Sequence, residues 1–165
     1  MRQENRFLRE GVIAGLLGAA AVAVWFFVID VVSGRPFGTP SMLGRSVATF
    51  FGGGEGGSTA TYVIGYTVFH VAMFVILGLV VSAFFNNAER EPSLLIGLLI
   101  LFVAFEVGWY GWTSLLARSD YFGQLAWYQV MAANLVAALV MGVYMWRSHP
   151  ALIGRFANEL AGGER

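Results

Sequence analysis

The sequence predicts an all-α protein: an integral membrane four-helix bundle with both termini in the cytoplasm and short interfacial helices in the first outer loop and the C-terminal tail. Three observations carry this expectation. Of 165 residues, 58% are hydrophobic and only 12% charged, where a soluble domain carries roughly a quarter charged residues. Four apolar stretches each reach about 20 residues, the length at which a helix crosses a hydrocarbon core of roughly 30 Å. The arginines are distributed unequally between the two sides that such spans define.

The spans are placed at residues 11–32, 62–85, 93–116 and 125–146, within a single transmembrane domain covering residues 1–165. The first follows a charged segment, but it is too long for a signal-peptide core and has no small-residue cleavage pattern before Arg35, so it is read as retained. Every basic side chain other than histidine is arginine. Arg2, Arg6, Arg9, Arg90, Arg147, Arg155 and Arg165 fall on the N-terminal side, against Arg35, Arg45 and Arg118 on the other. That bias predicts cytoplasmic termini and an inner, bacterial-type membrane location.

The connections differ in kind. Residues 86–92 and 117–124 are short, so the spans they join should be antiparallel neighbours, with Pro92 opening the third and Ser119 or Asp120 capping the fourth. The first outer loop, 33–61, needs structure of its own. Thr39-Pro40 is a start signal, Leu43, Val47, Phe50 and Phe51 share one side, and Gly52–Gly54 stops the pattern. An interfacial helix over 40–51 is expected, followed by a glycine-rich linker. In the tail, 147–165, Pro150, Leu152, Ile153, Phe156 and Leu160 repeat the pattern.

Lipid is as apolar as leucine, so the spans must associate through small residues and polar links. Gly11, Gly15, Ala19 and Ala23 form one ladder, Gly97, Ala104 and Gly108 a second, and Ala133 with Ala137 a third. A faint internal echo aligns His70 with Asn134 and Gly78 with Gly142, as a parallel repeat would.

Ionisable groups inside a span are costly and point to function. With a rise of about 1.5 Å per residue, His70 falls roughly 12 Å, Asn134 roughly 13 Å and Glu106 roughly 15 Å below the outer surface. An intramembrane network of His70, Glu106 and Asn134 is therefore expected, either as an interhelical clamp or as a proton-handling group. Tyr66, Thr67 and Met73 share the side of His70, and Trp109, Tyr110 and Thr113 that of Glu106. These six are the expected lining of a ligand pocket. Asp30, Arg35 and Arg45 are placed at the outer interface, with Asp30 pairing to one of the two arginines.

Several chemistries are excluded. Ten acidic residues cancel ten basic ones, which leaves no net field for nucleic acid. Without cysteine there are no thiolate metal sites. No Glu-x-x-His motif offers a di-iron centre, zinc would lack ligands, and hydrolase and phosphate-loop signatures are absent. No metal site is expected, save that His70 alone could ligate a haem or pigment.

Gly34-Arg35-Pro36-Phe37-Gly38-Thr39-Pro40 and Trp146-Arg147-Ser148-His149-Pro150 resemble stretches of small four-span bacterial membrane proteins of unknown function, a resemblance that carries no activity with it. The expectation is a non-catalytic accessory or assembly subunit of a larger membrane complex, respiratory or photosynthetic in type. Its partners would be lipids and other transmembrane subunits or itself. A bound lipid, quinone, carotenoid or chlorophyll-type pigment is the expected kind of ligand. The alternatives are a small oligomeric proton-linked transporter or channel using Glu106 and His70, and less centrally a lipid or quinone enzyme.

Overall fold

The computed structural model describes residues 2–53, 56–88, 91, 94–116, 127–150 and 152, with the side chains of 2–5, 95, 101, 105 and 109–116 outside the description. Five helices follow one another: α1 (Arg2–Val32), α2 (Gly38–Phe50), α3 (Thr59–Ala88), α4 (Leu94–Leu116) and α5 (Trp127–Ser148), with no strand among the described residues. Three of them are long and apolar enough to cross a membrane, over Arg6–Val32, Thr59–Ala88 and Trp127–Ser148. In α4 the described apolar stretch, Ile96–Gly108, is shorter. The expected helix caps at Ser119 and Asp120, and the tail helix beyond Leu152, fall outside the described residues.

The core is the seam between α1 and α3, and small residues create it. A Cβ built on Gly11 would fall 2.8 Å from the Leu79 Cα, and one on Gly15 2.7 Å from the Val75 Cα. Gly78 lies in turn against the Gly11 carbonyl. Backbones this close gain dispersion contact along their length, the main source of helix association where hydrophobic exclusion is lost. On its other side α1 receives α5, where Ala133 and Ala137 are buried against Val22, Trp25, Phe26 and Phe74. Gly11, Gly15 and Ala19 of the first expected ladder and both residues of the third thus lie at helix contacts, whereas Ala23 is exposed along a cleft between α1, α2 and α3.

The second ladder does not. Among the described residues, Gly97 has only Phe84 in ordinary contact distance and nothing approaches Gly108, and Ala104 is exposed. Helix α4 packs on α3, and few contacts join it to α5 among the described residues.

The helix of the first long connection starts at Gly38, two residues before the expected Pro40, and ends at Phe50. Thr39 does not cap it with its own side chain. The turn that precedes it holds Gly34 at φ +70° and Phe37 at φ +67°, a left-handed conformation that is disfavoured for a bulky side chain by about 1–2 kcal/mol. The chain thereby reverses tightly enough for Asp30, in the last turn of α1, to reach the start of α2. Gly44 then seats α2 directly on the Tyr62 carbonyl of α3.

Candidate functional site

Four groups of polar side chains lie along the bundle, and taking the end that carries the N-terminus of α1 as proximal gives their order. At the proximal end, Arg6 Nε donates to Glu10 Oε1 at 2.8 Å and its Nη2 to the Ser148 carbonyl. The opposite carboxylate oxygen of Glu10 faces His149 Nε2 at 3.7 Å, within ion-pair range but beyond a hydrogen bond. His149 Nδ1 lies 2.9 Å from the Met145 carbonyl, and its ring packs on Phe85. Ser82 of α3 donates to the Phe7 carbonyl at 3.1 Å. Glu10 and His149 are almost fully buried, 4% and 0% exposed. Spans at 11–32 and 125–146 leave both residues just beyond a helix end, and the available signal is that α1 and α5 place them at the same end.

In the distal half, the three residues expected to form one network separate into two places. Asn134 Nδ2 of α5 donates to Glu106 Oε1 of α4 at 2.8 Å, and Glu106 is buried at 7% exposure. Its second oxygen, Oε2, is buried with no hydrogen-bond partner among the described residues. His70 has turned to the other side of α3. Its Nε2 lies 3.2 Å from the Ala19 carbonyl of α1, and its ring sits between Tyr66, stacked at a centroid distance of 5.5 Å, and Phe74 at 4.7 Å. No hydrogen bond joins it to Glu106 or Asn134 among the described residues. Depth follows from helix rise alone, whereas the side on which a group meets its neighbour depends on which helices adjoin.

At the distal end, Asp30 pairs with neither Arg35 nor Arg45. Its two carboxylate oxygens accept from Thr39, Oδ2 from the backbone N at 2.8 Å and Oδ1 from the hydroxyl at 2.7 Å. A carboxylate from another helix thus takes the N-cap role for α2, where negative charge also meets the positive end of the helix dipole. Arg35 is exposed, and Arg45 lies over the Tyr62 ring at 5.4 Å.

Between α1, α2 and α3 at this end lies a cleft of about 520 Å³. Of the expected pocket residues it contains Tyr66 and Thr67, together with His70 and Asp30. Met73 is instead half exposed outside it, and the side chains of Trp109, Tyr110 and Thr113 lie outside the described residues. Phe26, Phe27, Phe37 and Thr39 complete the distal part of the lining; sequence spacing could not bring α2 against the His70 side of α3. Among the described residues no group of three or more metal-binding side chains occurs.

No protein-family model, no curated protein and no solved structure matches the chain.

Proposed function

We propose that the protein is a non-catalytic, membrane-embedded subunit that completes its own bundle only by packing against other transmembrane helices, in an accessory or assembly role within a larger complex. The observation that carries this reading is the seam between α4 and α5. Helix α4 is held to α3, yet among the described residues its contact with α5 reduces chiefly to the Glu106–Asn134 hydrogen bond. Val103 and Val107 on α4 are more than half exposed, as is Leu139 on α5, while Asn134 is only partly buried. Polar groups at membrane depth cost several kcal/mol unless satisfied, and a partner helix laid in this seam would shield the pair from lipid.

In this reading α4 is a fourth span and both termini are cytoplasmic, as the arginine bias implies. A cysteine at Ser58 should react with impermeant reagent from outside intact cells and one at Asn87 should not; the reverse pattern inverts the orientation.

The transporter alternative draws less support. It requires His70 and Glu106 on one path, whereas the first faces α1 and the second α5, and the α1–α3 backbones meet too closely to leave a channel between them. Native mass measurement after mild-detergent extraction tests the proposal. Recovery with other membrane subunits or as a defined oligomer is expected. A free monomer at native expression, or proton flux in liposomes that Glu106→Gln abolishes, would overturn it.

A further inference from the structure

The cleft between α1, α2 and α3 contains polar groups that the fold uses up and others that it leaves open. Asp30 is spent: both of its oxygens are taken by Thr39. Thr67 is half spent, since its hydroxyl proton goes to the Val63 carbonyl at 2.7 Å. His70 and Tyr66 are different. The Ala19 carbonyl can only accept, so the His70 nitrogen beside it, Nε2, carries the ring proton, and the neutral imidazole then presents Nδ1 as an acceptor. Neither Nδ1 nor the Tyr66 hydroxyl has a hydrogen-bond partner among the described residues, and both residues line the cleft. The two rings are stacked one helical turn apart, which puts an acceptor and a hydroxyl within reach of one small head group.

We infer that this cleft binds a neutral lipid whose head is a flat hydroxylated ring, of the alkylated or prenylated quinol class. Three features select that chemistry. Volume comes first, because about 520 Å³ lies within the usual range for a small-molecule site. The walls are aromatic: Phe26 and Phe27 of α1 and Phe37, whose left-handed backbone places its ring 5.5 Å from that of Phe27, give flat surfaces against which a ring can stack. Finally, among the described residues no arginine lines the cleft and the carboxylate there, Asp30, is already paired, so neither a phosphate head nor an ammonium head finds a counter-charge. A ring hydroxyl donating to His70 Nδ1, with Tyr66 donating to a ring oxygen, satisfies both open groups. The rest of the cleft, lined by residues such as Leu16, Ala20 and Val24, takes the chain. The inference is independent of the subunit proposal, since every group it uses belongs to this chain.

The test uses the full chain purified in mild detergent and a decyl-substituted benzoquinol, with its O,O-dimethyl ether as the comparison ligand, followed by calorimetric titration. Saturable binding of the quinol is expected, about tenfold or more tighter than the ether, because a site built to bond a hydroxyl discriminates against its absence. Tyr66→Phe removes a hydroxyl that the fold does not use; it should leave thermal unfolding unchanged and weaken the quinol several-fold. His70→Phe keeps the ring and should reduce the preference for quinol over ether to near unity. Ala23→Phe should fill the cleft and abolish binding. If His70→Phe fails to fold, Tyr66→Phe and Ala23→Phe still decide. Equal affinity for quinol and ether, quinol affinity unchanged in both Tyr66→Phe and Ala23→Phe, or no saturable binding to the folded protein would overturn the inference.

Discussion

The α1–α3 seam and the α4–α5 seam solve the same problem in opposite ways. In the first, Gly11, Gly15 and Gly78 remove side chains so that two backbones touch, and the side-chain hydrogen bonds that cross the contact, from Ser82 and His70, end on the α1 backbone. In the second, α4 keeps Val103 and Val107 exposed, and among the described residues Gly108 meets nothing and one hydrogen bond from Asn134 to Glu106 makes the link. Close packing is rigid and intolerant of volume, whereas a single polar pair leaves the helices free to accept another neighbour. The first seam therefore belongs to the fold, and the second is where the proposed partner would act.

Adding volume to the glycine seam should have the largest effect. At Gly78 a Cβ would run into the Gly11 carbonyl and the Gly15 backbone, neither of which can swing aside as a side-chain tip could. Gly78→Val should destabilise the chain by about 3 kcal/mol, read as a fall in the midpoint of thermal or SDS-induced unfolding. Gly108→Val and Gly142→Val, where no described residue lies within contact distance, should leave that midpoint almost unmoved. Equal losses at Gly78 and Gly142 would remove the distinction between the seams.

A smaller loss is expected where α2 is fastened. Asp30→Ala removes the acceptor for both the Thr39 amide and hydroxyl and should cost about 1–2 kcal/mol, the range of a helix N-cap. Asp30→Asn retains an acceptor oxygen and should cost less. Faster amide exchange confined to α2 in the alanine variant would locate the effect; unchanged exchange there would show that Gly44 on Tyr62 holds the helix without the cap.

Much of this arrangement was legible in the sequence because length and rise leave little freedom. Residue spacing predicted His70, Glu106 and Asn134 in one layer, and of these Glu106 and Asn134 do meet across α4 and α5. The Gly11–Gly15 and Ala133–Ala137 ladders were legible for the same reason. Rotation about each helix axis was not, because every side of α3 is apolar enough for lipid and only the neighbouring backbones decide that His70 faces α1. The role of Asp30 was obscured because its partner depends on the Phe37 turn, and a left-handed phenylalanine has no sequence signature. Glu10 and His149 lie 139 positions apart in the chain, and pairing them requires knowing that α5 returns along α1.

The smallest effect is also the most specific. Interhelical hydrogen bonds in membranes average about 0.6 kcal/mol and rarely exceed about 1.7 kcal/mol, because the separated helices find other partners. A double-mutant cycle with Glu106→Ala and Asn134→Ala should therefore give a coupling of that order in the isolated chain. Glu106→Gln should cost less than Glu106→Ala, since the amide oxygen can still accept from Asn134. In the assembled state the partner helix would exclude lipid from the seam, and the bond would lose the competing arrangements that weaken it. The coupling measured there should exceed that of the isolated chain by about threefold. A coupling that is identical in both states would mean that no partner enters between α4 and α5, and the exposed valines of α4 would then face lipid alone.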